Sequence, residues 1–133
     1  VADFKNSLSV RAAAAVTQNK IVKLAASGAA DGLPDAIHGA AGTDLGVGVA
    51  LSTVADNEVL EVQCGGVAVM VAGEVLTLAT NHSLCSGAAG VAMQCVANDY
   101  QVGIFLGSLK GTATAAAGDL ILVQLSQGRF EIA

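Results

Sequence analysis

The sequence predicts a mostly β fold in a single compact domain, with at most one or two short helices. Three observations carry that reading. Glycine is spread along the chain, 16 among 133 residues against one proline. Val, Ile and Thr fall in short runs, and no apolar recurrence at helical spacing is sustained. The apolar fraction is 53% and the charged fraction only 13%, which is the reverse of the composition of a disordered chain and enough to build a core at this length.

Taken in order, residues 1–9 read as an N-terminal arm and 10–133 as the β domain. The arm mixes Asp3, Lys5, Asn6 and Ser7 with two apolar anchors, Phe4 and Leu8. Chain ends stay loose unless tied down, so Phe4 and Leu8 are the candidate contacts with a partner. Ala12 to Ala15 has helix propensity but sits between Val10 and Val16 and runs into a turn, where propensity is a weak guide. Ser27 to Thr43, with Gly28, Gly32, Pro34, Gly39 and Gly42, reads as a long surface loop or a loosely paired excursion. Alternation follows in Val47, Val49, Leu51, then in Leu60, Val62, Cys64 and in Val102, Ile104, Leu106. Thr112 to Ala117, bounded by Gly111 and Gly118, has room for one short helical turn at most.

A four-residue pattern recurs at Asn19-Lys20-Ile21-Val22, Asn57-Glu58-Val59-Leu60, Gly73-Glu74-Val75-Leu76 and Gly118-Asp119-Leu120-Ile121. Asn and Gly tolerate the left-handed conformation that tight turns require. Asn19, Asn57, Gly73 and Gly118 are therefore the expected turn residues, each followed by a charged residue in water and a strand. Val67 to Val71 and Leu120 to Val123 are apolar at every position, as in strands shielded on both faces. One face would meet the core and the other a neighbour.

Composition excludes several functions. Six basic against eleven acidic residues give a net charge of −5, which opposes a phosphate backbone. Four aromatics and no Trp give no stacking platform for bases or sugars. The charge-free stretch between Glu74 and Asp99 is broken too often by polar residues for a membrane span. Residues 1–7 lack the basic end and apolar core of a secretory signal.

No catalytic constellation emerges. His38 and His82 are the only imidazoles and read as loop histidines. Gly-x-Ser-x-Gly is absent, and Asp31, Asp35, Asp44, Glu58, Glu61 and Glu74 are the surface acids expected of an acidic protein. His82, Cys85 and Cys95 have a partial ligand-like spacing but lack a second pair. The odd count of three cysteines, Cys64, Cys85 and Cys95, points to reduced, buried thiols that chelators leave unchanged. Gly46-Val47-Gly48 lacks the rest of a dinucleotide fingerprint and serves close strand packing or a bulge. No enzyme activity, catalytic residue, metal or cofactor is expected.

From about Ala12 to Leu125 the order is Gly46-Val47-Gly48-Val49-Ala50-Leu51, the Asn57 turn, Gly65-Gly66, Ala72-Gly73-Glu74-Val75, Gly111-Thr112-Ala113 and Ala117-Gly118-Asp119-Leu120. This order resembles the small capsid decoration, or cement, proteins of tailed bacteriophages. Where relatives carry Ala-Gly-Asp at the first turn, this chain has Gln18-Asn19-Lys20. The resemblance implies a β-barrel or β-tulip-like domain with an extended N-terminal arm. It also implies a homotrimer that is made in the bacterial host cytoplasm, binds the major capsid protein on the outer surface of the head and cements the shell. Neither nucleic acid nor a membrane is an expected partner. The alternative is a trimeric β module of a phage fibre or receptor-binding apparatus.

Overall fold

The computed structural model describes residues 7–30 and 32–132, whose regular structure is β strand apart from one 3₁₀ turn. The first half contains β1 (Ser7–Ala12), β2 (Ile21–Ala30), β3 (Leu33–His38), β4 (Gly46–Ala50) and β5 (Val59–Gln63). These close into a five-stranded barrel in the order β1-β3-β2-β4-β5. All neighbours are antiparallel except β1 and β3, which run parallel through Arg11↔Asp35 and Ala12↔Ala36. A five-stranded barrel is narrow. Its interior is accordingly filled by Val10, Ala12, Val16, Val22, Ala36, Ala50, Leu60 and Val62, which is one physical use of so much alanine and valine.

The second half contains β6 (Val67–Val71), β7 (Leu76–Thr77), β8 (Ser83–Ser86), β9 (Ala92–Gln94), β10 (Tyr100–Ser108), β11 (Thr114–Ala115) and β12 (Leu120–Glu131). Five of these form a sheet in the order β6-β12-β10-β8-β9, while β7 and β11 pair separately. A single parallel bridge, Ala72↔Ala92, links the end of β6 to β9 and curls the sheet toward closure. The inner face carries Ala68, Met70, Leu84, Phe105, Ile121, Val123 and Leu125. Ile21 and Val49 of the barrel belong to this same core, so one apolar cluster joins the two halves.

Two bulges decide which side chains face which core. Val22 pairs with Gly48 but Lys23 with Gly46, leaving Val47 as the extra residue. Val49 therefore faces the second sheet while Val47 packs on the barrel cluster; the apolar alternation of Val47, Val49 and Leu51 does not define one face, and Leu51 is exposed. The Gly46-Val47-Gly48 expectation of close packing and a bulge is met in both respects. A Cβ on Gly48 would overlap the Gln63 carbonyl and lie 2.6 Å from Val62 Cγ1. In β10 the register steps between Phe105 and Gly107, which makes Leu106 the extra residue; Phe105 is buried, and Leu106 is exposed as Ile104 is.

Of the two readings of Ser27 to Thr43 the paired one holds: the segment contains the end of β2 and the whole of β3, and Pro34 pairs with Ala29 within that hairpin. Gly and Pro marked the hairpin and its ends, not a loop without structure. Thr112 to Ala117 contains β11 in place of a helical turn, because Thr114 and Ala115 pair with Thr77 and Leu76. One 3₁₀ turn, Ala88–Gly90, is the helical element among the described residues. The arm expected over 1–9 shortens: Ser7, Leu8 and Ser9 pair with Gln63, Val62 and Glu61 of β5. Residues 1–6, with Phe4, lie outside the described residues.

Cys85 and Cys95 form a disulfide with Cα atoms 5.2 Å apart, which corrects the expectation of three reduced thiols. Pairing of Leu84 with Gln94 and Cys85 with Met93 brings the next residue, Cys95, diagonally against Cys85. Cys64 is outside that disulfide, and its thiol donates to the Val62 carbonyl at 3.5 Å.

Candidate functional site

The turns come first because they present the strands. Asn19, Asn57 and Gly118 take positive φ of 68°, 69° and 90°, as the recurring pattern predicts. Gly73 does not. A Cβ there would collide with Val91 and lie 2.7 Å from Met93 Sδ, so Gly73 is required by close approach of the β8–β9 connection. Asn98, with φ 71°, opens a further turn of this kind, Asn98-Asp99, that the sequence pattern does not include because Tyr100-Gln101 stands in place of the β-branched or Leu pair.

The charged residue of the pattern also does more than stay in water. Glu58, Asp99 and Asp119 each accept a hydrogen bond from the backbone N–H three residues earlier, at Ala55, Val96 and Ala116, over 2.6, 2.9 and 3.0 Å. Each also donates its own backbone N–H to the carbonyl of that same residue. This two-way closure satisfies both polar groups of the turn locally. Lys20 cannot accept, and the first turn is tied instead by Gln18 N–H to Thr53 Oγ1 and Thr17 N–H to His38 Nε2.

The site that stands out is the outer face of the second sheet. Across β6, β12 and β10 the outward rows are Val71–Leu120, Val69–Leu122 and Val67–Gln124–Ile104, with the exposed Leu106 next to Ile104 on β10. Val67, Ile104 and Leu106 are 50%, 45% and 43% exposed. No charged residue occurs over 67–71, 100–108 or 120–126. An antiparallel sheet with one solvated face normally alternates apolar and polar residues. This one is apolar on both faces, as the runs Val67 to Val71 and Leu120 to Val123 foretold, and large uncharged patches of this kind mark interaction surfaces.

Leu8, expected as a partner contact, lies opposite the fully buried Val62. By strand alternation it sits on the same row as Val10 and Ala12, at the end of the barrel lining, where it is 38% exposed. A recess of about 440 Å³ lies on the barrel between Leu24, Ile37, Leu45 and Val47. Lys23 Nζ and Asp44 Oδ1 pair there at 3.0 Å. Burial alone would raise the Asp44 carboxyl, but the Ala40 N–H, the Lys23 ammonium and the Ala41 N–H outweigh it and hold it below its ordinary range.

His38 is at the end of β3, not in a loop, and accepts the Thr17 N–H at 2.9 Å on Nε2. That geometry needs a neutral ring with its proton on Nδ1. Burial, and secondly the Lys20 charge, hold its pKa below the ordinary 6.5. The unfolded chain therefore binds the proton more readily, and stability must fall as pH drops below about 6.5 toward the folded value. Urea midpoints measured from about pH 7 to pH 5 are expected to decline for the native chain and to decline less for His38→Gln. Equal slopes would contradict the assignment.

His82 Nε2 contacts the Leu78 carbonyl at 3.1 Å, and Cys85 and Cys95 are tied to each other. Among the described residues no group of three His, Cys, Asp or Glu side chains is placed to hold a metal ion. No described helix is long and apolar enough to cross a membrane.

No protein-family model and no curated protein matches this chain. Among solved structures it is similar to the N base of the head fiber gp8.5 of bacteriophage phi29. The TM-score is 0.70 at 19% sequence identity, over 94% of this chain and 97% of that one. At this identity the two chains share a fold along almost their whole lengths.

Proposed function

We propose that the protein is a structural component of a phage virion, a homotrimer that binds the outer surface of the head and stabilises the shell. The observation that carries this reading is the uncharged apolar face of β6, β12 and β10. The chain has a net charge of −5, so copies repel one another over most of their surface. The Val67–Leu122–Ile104 face is where two copies can meet without opposing charge, and a second copy is the occupant that removes it from water. Cyclic closure of such contacts gives a finite assembly. Bound at many seams, an assembly that recognises only the closed shell stabilises it by mass action. The arm with Phe4 extends this reading as an element that contacts the major capsid protein. A second reading, the base of a head fibre, is favoured by the fold shared with the phi29 head fiber.

Incubating the purified protein with expanded, empty heads separates these readings. Cementing expects binding in many copies per head and a higher temperature of head disruption. A fibre base expects few copies and no change in that temperature. Absence of binding by a folded, associated protein would overturn both.

A further inference from the structure

We infer that Cys85 and Cys95 form a staple that closes by oxidation after the chain has folded, locking the outermost strand of the second sheet. The inference rests on the virion reading in one respect, the passage from a reducing cytoplasm to an oxidising exterior.

The need for a staple is visible in β9. It has three residues and pairs with β8 through Leu84↔Gln94, Cys85↔Met93 and Ser86↔Ala92. On its other side it is held by the Ala72↔Ala92 bridge, by Gly73 N–H to the Ala92 carbonyl, and by Gln94 N–H to Glu74 Oε2 at 2.7 Å. The curl of the sheet around its core is thus completed by one of its shortest strands. Those contacts do not involve sulfur, and Leu84 and Ala92 are fully buried. The reduced fold therefore already holds the two thiols side by side as small apolar groups.

Cys85 is 1% and Cys95 7% exposed, and Cys95 precedes the exposed Val96. The more accessible Cys95 thiolate attacks a small-molecule disulfide such as oxidised glutathione, forming a mixed disulfide and releasing one glutathione thiol. The Cys85 thiolate then displaces the second glutathione. Two protein thiols are oxidised to one disulfide, one oxidised glutathione is reduced to two thiols, and no other reactant is needed. Cys64 packs against the barrel cluster and stays a thiol throughout.

The test uses the full chain made in a bacterial cytoplasm, with every sample alkylated in denaturant so that buried thiols react and only disulfide sulfurs are protected. Mass spectrometry is expected to find Cys85 and Cys95 alkylated at lysis, and protected after the folded protein meets oxidised glutathione. Hydrogen exchange at the 92–95 amides is expected to slow by up to about a hundredfold on oxidation, from the loop entropy a link of this length removes. Cys85→Ala/Cys95→Ala should show the fast exchange with or without oxidant. A disulfide already complete at lysis, a folded protein that does not oxidise, or oxidation without slower exchange would each overturn the inference. Head binding measured separately with reduced and oxidised protein reports on the virion reading alone.

Discussion

Ile104→Glu is expected to leave the protein folded and to abolish its self-association. In the single chain Ile104 points to solvent from the outer face of β10, and substitutions at such positions change stability by roughly half a kcal/mol or less. In the proposed assembly the same side chain lies against a second copy, where a carboxylate would be buried without a partner. Cyclic symmetry repeats that cost at every contact. Association is expected to weaken by at least about a hundredfold, on the order of 3 kcal/mol per contact. Sedimentation equilibrium at micromolar concentration should show the native chain as a trimer and the variant as a monomer, with matching circular dichroism. Val59→Glu, on the barrel and more exposed than Ile104, is expected to leave association as it was. If both variants associate like the native chain, the outer face is not the contact between copies.

Gly48→Ala is expected to be among the most destabilising single substitutions in the barrel. The backbone of Gly48 is unstrained, so the cost is one of space. The new Cβ would point between β4 and β5 at the Gln63 carbonyl, and Val62 cannot yield because it is fully buried. Overpacking of a closed core costs about 1–3 kcal/mol, and more where the obstruction is backbone; about 3 kcal/mol or more is expected at Gly48. Gly111→Ala provides the contrast. Gly111 has open space around it but a φ of +85°, so only the left-handed conformation is penalised, at about 1–2 kcal/mol. Urea denaturation should order the variants native, Gly111→Ala, Gly48→Ala. A Gly48→Ala protein as stable as Gly111→Ala would mean that β4 and β5 can separate at little cost.

The apolar outer face was legible in part from sequence because every position of Val67 to Val71 and Leu120 to Val123 is apolar, so that whichever alternate set enters the core the other leaves apolar side chains outside. The disulfide was not legible. A ten-residue spacing says nothing about whether two cysteines sit across a hairpin, and only the β8–β9 register places them together. Phe4 is outside the described residues, and Leu8 lies on the barrel-lining row through pairing with β5, a strand some fifty positions away in sequence.

Sequence by itself determined the features whose physics is local. Asn19, Asn57 and Gly118 turn where they do because left-handed φ is a property of single residues, and the β class follows from short runs and missing helical periodicity. Tertiary structure decided what depends on distant partners. These are the parallel pairing of β1 with β3, the register of the hairpin within Ser27 to Thr43, the steric role of Gly73, and the bulge that sends Val49 to one core and Val47 to the other. Alternation of period two says that successive side chains face opposite ways. Which way each faces is set by register, and register is a contact between segments that are far apart in the chain.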